Sequence, residues 1–336
     1  MTRDLWAGGD AYEAYVGRWS RPVAALFVPW LAVPPGRRWL DVGCGTGALT
    51  GTVLATAAPA EVTGIDPSQA FLTTAKSRLT TGSTAPPTTG AAQTSGSTVP
   101  LATGAAQTSG STVPLAAGAA QTSGSTVPLV TDAAQTSGSA VPLTTGAAGQ
   151  TAAGSTVRLV AGDARALPVS DAAVDAVVSG LALNFVPGPA AAVAEFARVV
   201  APGGVVAAYV WDYADGMTMM RHFWDAATSL DPAAAALDEG RRHSICSTGA
   251  LSDLWTGAGL SDVTTRPIDT TAVFTDFDDY WSPFLGGTGP APTYVAGLPA
   301  EHRDELRDLL RARLPKATDG SIQLLTRALA VRGTTT

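Results

Sequence analysis

The stretch Leu40-Asp41-Val42-Gly43-Cys44-Gly45-Thr46-Gly47-Ala48-Leu49 decides how the chain is read. It closes an apolar run from Arg38 to Val42, alternates glycine with small residues, and continues from Leu49 to Ala57 with apolar residues at three-to-four spacing. That pattern is a strand passing through a glycine turn into a helix. Alternate glycines let the main chain turn sharply and approach a ligand closely, while the first N–H groups of the helix face it. Such a turn binds a nucleotide-like group. Asp66 follows the next apolar run, Glu61 to Ile65, and stands 19 residues after Gly47. There a carboxylate can accept hydrogen bonds from both hydroxyls of a ribose.

Outward from this unit, apolar runs alternate with amphipathic stretches. Strands are expected at Val157 to Val160, Val174 to Ser179 and Val205 to Val210, with helices at Ser68 to Leu79 and Ala190 to Val200. Pro67 and Pro189 stand where helices begin. The alternation predicts an α/β chain with a parallel, doubly wound sheet. Further on, the pattern predicts a helix near Gly249 to Thr256, strands near Asp262 to Ile268 and Ile322 to Val331, and helices near Phe277 to Phe284 and Glu301 to Leu314.

One long stretch does not fit this rhythm. From Thr80 to Thr156 there is no aromatic residue and a single charge, Asp132. GAAQTSGSTVPL begins at Gly90, Gly104 and Gly118, recurs as DAAQTSGSAVPL at Asp132, and ends in a degraded copy at Gly146, a period of 14 residues. Each copy offers only Val-Pro-Leu to a core, and the proline removes a ladder donor, so stacking into a solenoid is disfavoured. Composition points to a disordered insert over 80–156, carried by one domain made of 1–79 and 157–336.

The 336 residues carry 21 Lys and Arg against 28 Asp and Glu, a formal net charge of −7. This argues against nucleic acid as partner, since phosphate neutralisation needs a basic face. The N-terminal residues hold Arg3, Asp4 and Glu13 and no signal-like apolar run, and the run from Ala176 to Ala194 is interrupted by Pro187, Gly188 and Pro189. The expectation is a cytoplasmic protein without integral membrane association. Cys44 and Cys246 lack the spacing of a zinc site, and no metal is expected.

The glycine string D-x-G-x-G-x-G, from Asp41 to Gly47, resembles motif I of the class I S-adenosylmethionine-dependent methyltransferases. Further motifs of that family follow in order: Gly64-Ile65-Asp66-Pro67-Ser68, then Ala161-Gly162-Asp163-Ala164, then Phe196 to Gly204 ending in Pro202-Gly203-Gly204. The resemblance spans roughly residues 10 to 212, insert excepted, and is nearest to the small-molecule, ubiquinone-biosynthesis-like branch with its type 11 domain. It implies a seven-stranded, mostly parallel Rossmann-like sheet with helical lid elements, and S-adenosyl-L-methionine as cofactor. It gives Gly43, Gly45 and Gly47, with Cys44 between them, the methionine and ribose side. Asp66, with Pro67 beside it, takes the ribose hydroxyls. Asp163 accepts from the adenine amino group, with the Ala164 N–H near a ring nitrogen. Asp41 orients the loop or the methionine amine, and Ser179 lines the same site. Within an N-terminal lid over 1–35, Tyr15 would close over the cofactor and Arg18 would pair with its carboxylate.

Methyl transfer from a sulfonium needs a nucleophile in line behind the methyl carbon, so no covalent catalytic residue is implied. A base matters only if the acceptor loses a proton; candidates on the family's substrate side are Asn184, Asp212, Tyr213 and His222. Aromatic and methionine-rich segments within 212–248 and 271–315 are candidate substrate caps. Leu183-Asn184-Phe185-Val186-Pro187 lacks the Asn-Pro-Pro-Tyr arrangement of amino-methylating DNA enzymes, which with the acidic charge favours a small-molecule methyl acceptor. Two alternatives are a nicotinamide-dependent dehydrogenase and a non-catalytic module that binds S-adenosylmethionine. The first would want a catalytic Tyr-Lys or His pairing, yet the only lysines are Lys76 and Lys316, and neither follows a suitable tyrosine.

Overall fold

The computed structural model describes residues 18–81, 149–150, 155–286 and 289–336. Tyr15 and nearly all of the repeat stretch lie outside the described residues, and Arg18 is described only as the first residue of a helix. Among the described residues eight strands form one sheet: β1 (Arg38–Val42), β2 (Glu61–Asp66), β3 (Gly149–Gln150), β4 (Thr156–Ala161), β5 (Val174–Gly180), β6 (Val200–Trp211), β7 (Ser261–Phe274) and β8 (Ile322–Thr334). Their order is β3-β4-β2-β1-β5-β6-β8-β7. Strands β4, β2, β1, β5 and β6 run parallel. The β6–β8 and β8–β7 pairs are antiparallel. The seven strands expected are thus present, and β3 adds a two-residue antiparallel edge against β4.

The parallel strands read as apolar runs because helices cover both faces of such a sheet, and Trp39, Leu40, Val62, Ile65, Ala176, Val177 and Val178 are all buried. Pro267 sits in β7, where an edge strand tolerates a missing donor. The helices are α1 (Arg18–Trp30), α2 (Ala48–Thr56), α3 (Gln69–Thr81), α4 (Pro189–Val199), α5 (Thr218–Leu230), α6 (Glu239–Arg242), α7 (Thr248–Gly257), α8 (Phe277–Trp281), α9 (Pro290–Gly297) and α10 (Ala300–Arg313). Helix α4 begins with Pro189 after Gly188 at φ 71°, a start fitted to a fixed proline φ.

Two regions are held by packing between segments far apart in the chain. Helix α1 runs through Pro22 and Pro29, which in a sequence argue against a helix interior. It is held by burial of Trp19, Val23, Ala24 and Phe27, with Phe27 edge-on to Tyr209 at 4.7 Å. Arg266 and Arg332 each lie 5.1 Å from the ring of Trp30, and Arg332 donates to the Trp30 carbonyl at 2.7 Å. In the aromatic segments proposed as caps, Phe223 stacks on Phe284 at 4.5 Å, and both are fully buried with Trp224 and Tyr280. Burying each such side chain contributes about 1.5–3 kcal/mol, so this cluster is a core in its own right.

The start of β4 is tied to the chain ahead of β2. Ser155 Oγ donates to the Pro59 carbonyl at 2.7 Å, and the Thr156 N–H to that of Ala60 at 3.2 Å. Both anchors lie at the amino ends of the strands. The order reverses about β1, which pairs with β2 on one side and β5 on the other, and this opens a crevice at the carboxyl ends.

Candidate functional site

The carboxyl ends of β1, β2, β4 and β5 surround a cavity of about 470 Å³, within the range of small-ligand sites. Its lining includes Asp41, Gly43, Cys44, Gly45, Asp66, Pro67, Asp163, Ala164 and Ser179 among the residues expected at the cofactor site. Gly47 does not line it and instead caps α2 at φ 86°.

The glycine turn is drawn onto the end of β2. The N–H groups of Gly43 and Cys44 both donate to the Ile65 carbonyl, at 2.7 and 3.1 Å, and that of Gly45 donates to Asp66 Oδ2 at 2.9 Å. The other carboxylate oxygen, Asp66 Oδ1, accepts from the Ser68 N–H at 2.9 Å. Gly43 has φ 73°, and a Cβ there would lie 2.4 Å from that of Ala182, so the turn closes against the segment after β5. Gly45 has φ 53° and nothing within 4 Å of the place a Cβ would take. Its backbone forms a bare wall of the cavity.

Three carboxyl groups stand around this wall in different surroundings. Asp41 is 1 % exposed; Thr50 Oγ1 donates to its Oδ2 at 2.6 Å, while its Oδ1 is buried with no protein partner among the described residues. Burial pushes this carboxyl up from 3.8 to about 7. Burial likewise raises the Cys44 thiol well above its ordinary value, which keeps it neutral. Asp163 is open to solvent and is gripped by Arg165, with Nε 3.0 Å from Oδ1 and Nη2 2.6 Å from Oδ2. Those hydrogen bonds hold it down at about 2, so it is an acceptor throughout the physiological range.

The candidate bases do not line the cavity. Asp212 is buried in the turn after β6, accepting from the Asp215 N–H at 3.2 Å with Arg327 at 3.9 Å. His222 is half-buried on α5, and burial lowers its imidazole. Asn184 lies in the short turn Leu183–Phe185, its Nδ2 buried and unpartnered among the described residues. Tyr213 is buried against His243, whose ring also meets Phe185 edge-on, both at 5.4 Å. Burial holds His243 below its ordinary value, so it is neutral at pH 7. Phe185 lines the cavity, and His243 stands behind it.

Sequence reasoning passed over Ser20, Phe71, Leu181, Ala182, Phe185 and Tyr209, all of which line the cavity. Apolar lining carries no chemical signature in a sequence. Leu181 stands in the structure at φ 58°, a tight turn next to Gly180 that its residue type does not announce.

Comparison with known proteins gives two family matches. Two models, each described as "Methyltransferase domain", match residues 40–94 and 117–208. No curated protein matches the chain. Among solved structures, the YcgJ protein of Bacillus subtilis is similar at 14% identity and a TM-score of 0.47, covering 93% of this chain and 97% of that one. Phosphoethanolamine N-methyltransferase 2 of Haemonchus contortus, in complex with S-adenosyl-L-methionine, is similar at 14% identity and a TM-score of 0.48, covering 99% of this chain and 58% of that one. Likeness of this degree bears on nothing about substrate.

Proposed function

We propose that this chain, a class I S-adenosylmethionine-dependent methyltransferase, transfers methyl to an O, N or C nucleophile of a small molecule by in-line displacement. The observation that carries the proposal is the crevice itself, where a bare glycine wall is flanked by one buried carboxyl oxygen, on Asp41, with no partner among the described residues, and two acceptor carboxylates, Asp66 and Asp163. When bound, the cofactor supplies a methyl group activated by a sulfonium charge. The chain binds and orients it. The Gly43–Gly45 turn would hold the methionine and ribose side, and Asp66, which now accepts from the Gly45 N–H, would accept from the ribose hydroxyls. Asp163 and the Ala164 N–H would hold the adenine edge, and Asp41 Oδ1 would accept from the methionine amine. These contacts fix the methyl carbon, and the apolar wall of Leu181, Ala182 and Phe185 keeps water from it. A charge of −7 and the Leu183-Asn184-Phe185 sequence support a small acceptor over nucleic acid. Among the described residues no helix is long and apolar enough to cross a membrane.

Asp66→Ala tests the assignment. It removes acceptors for two hydroxyls and the partner of the Gly45 N–H, and lost hydrogen bonds to a charged group cost about 1.5–3 kcal/mol each. Titration calorimetry is expected to show S-adenosylhomocysteine binding weakened by roughly a hundredfold or more. Unchanged affinity contradicts the ribose contact.

The repeat stretch joins α3 to β4, whose anchors lie at the amino ends of the strands, away from the crevice. A deletion of residues 90–145, which spares β3, is expected to leave affinity for S-adenosylmethionine within tenfold of the full chain. A larger loss would show that the insert reaches the crevice. Shortening the loop also lowers its closure entropy, a stabilisation of only about 1 kcal/mol.

A further inference from the structure

The adenine edge of the crevice is carried by a loop, residues 162–173 between β4 and β5, and loops hold functional groups less sharply than strands do. Its ends are tied to the frame, with the Gly162 N–H donating to the Asp66 carbonyl at 3.3 Å and the Ala172 and Ala173 N–H groups to the Arg198 and Val199 carbonyls at 3.0 and 2.8 Å, and its middle is fastened by one cluster of side chains. The turn after β4 closes on itself through the Ala166 N–H, which donates to the Asp163 carbonyl at 3.1 Å. Leu167 follows at once, and helix α4 takes both of its backbone polar groups. Its N–H donates to Glu195 Oε2 at 2.8 Å, and its carbonyl accepts from Arg198 Nη2 at 3.2 Å. Arg198 also donates to the Val169 carbonyl at 2.9 Å and to Asp171 Oδ1 at 2.6 Å, and it grips Glu195 as a fork, Nε to Oε1 and Nη2 to Oε2, both at 2.7 Å. Beneath the turn, a Cβ on Gly162 would lie 2.9 Å from Ile65 Cγ2, so the loop is pressed onto β2 from that side.

Neither Glu195 nor Arg198 lines the cavity. The two form an i, i+3 pair on α4, where an ion pair at a helix surface contributes only a few tenths of a kcal/mol. Three hydrogen bonds from one guanidinium to the loop, with two more holding the Glu195 that takes the Leu167 N–H, go far beyond such a pair, and the planar fork is what allows a single side chain to make them. We infer that Arg198 and Glu195 are positioning residues for cofactor recognition: through Leu167 they set where Asp163 and the Ala164 N–H stand, and so set discrimination for the adenine 6-amino group. The inference rests on the assignment of Asp163 to that amine.

Calorimetry with two ligands tests it: S-adenosylhomocysteine, and its analogue in which unsubstituted purine replaces adenine, so that the 6-amino group is absent. The wild-type protein is expected to prefer the first by roughly tenfold or more, the size of one charge-assisted hydrogen bond. Asp163→Ala abolishes the preference. Arg198→Lys, which keeps the charge and loses the fork, and Glu195→Gln, which keeps the shape, each weaken S-adenosylhomocysteine several-fold, leave the purine analogue within twofold, and so erase most of the preference. A ratio of two affinities on one sample does not depend on the folded fraction, and Glu195→Gln serves alone should Arg198→Lys fail to fold. Preference retained in both variants, or equal weakening of both ligands, overturns the positioning role while leaving the Asp163 contact standing. Preference retained in Asp163→Ala overturns the contact and the inference together.

Discussion

Gly43→Ala is expected to lower the melting temperature by about 10 °C and to abolish measurable cofactor binding, whereas Gly45→Ala lowers it by only about 3 °C and loses binding as completely. The two glycines stand two residues apart on one turn, yet their surroundings differ. At Gly43 a methyl would sit 2.4 Å from Ala182 Cβ with φ at 73°. The left-handed conformation costs an alanine about 1–2 kcal/mol and the overpacking about 1–3 kcal/mol more. Relief would come from moving the turn, which breaks the paired hydrogen bonds to the Ile65 carbonyl. At Gly45 φ is 53° and no atom lies within 4 Å, so only the conformational cost is incurred and the methyl enters the space the ligand must fill. Thermal melts read the first difference, and S-adenosylhomocysteine calorimetry reads the second. Ala182→Gly combined with Gly43→Ala should recover the overpacking share of stability and leave the φ share. Equal melting temperatures for the two single variants would mean that the approach of Gly43 to Ala182 is not what closes the turn.

Asp41 gives the second large effect, through protons. The unfolded chain ionises this carboxyl near 3.8, whereas burial in the folded chain holds the proton until about pH 7. The folded state therefore binds more protons between these values, and stability falls as pH rises from about 4 to about 7, by on the order of 4 kcal/mol, and stays lower above. Asp41→Asn keeps an acceptor for Thr50 and removes the titration. It should match the wild type at pH 4 and be the more stable protein at pH 8. Binding runs the other way. An ammonium set against Asp41 Oδ1 favours the carboxylate, so affinity for S-adenosylhomocysteine should rise on the order of thirtyfold from pH 5.5 to 8, with proton release below pH 7. In Asp41→Asn that rise should vanish. Denaturant melts and calorimetry in buffers of different ionisation enthalpy measure the two halves. A wild-type affinity independent of pH would place the methionine amine elsewhere.

Much of the fold could be read because burial on both faces writes itself as unbroken apolar runs. The expected Arg38–Val42 strand is β1 to the residue, and Glu61–Ile65 falls one residue short of β2. Helix α1 was harder, since Pro22 and Pro29 speak against a helix that only long-range packing on Tyr209, Arg266 and Arg332 sustains. Helix α5 carries Met219, Met220, Phe223 and Trp224 on its buried side, and a run so rich in such residues reads equally as a pocket lining or a core. The polar part of the crevice was legible because glycines and carboxylates stand at strand ends at characteristic intervals. Its apolar wall was not, and neither was the reach of Arg198 to Leu167, Val169 and Asp171, because contacts 27 to 31 residues apart leave no local pattern. His243, brought behind Phe185 from a loop after α6, belongs to the same class.

Titration calorimetry of the full chain with S-adenosylmethionine and, separately, with NAD tests the central claim most directly. The crevice as described predicts one S-adenosylmethionine bound per chain, no heat with NAD, and loss of the first signal in both Asp66→Ala and Gly45→Ala. Binding of NAD, or S-adenosylmethionine bound equally well by those variants, would contradict it.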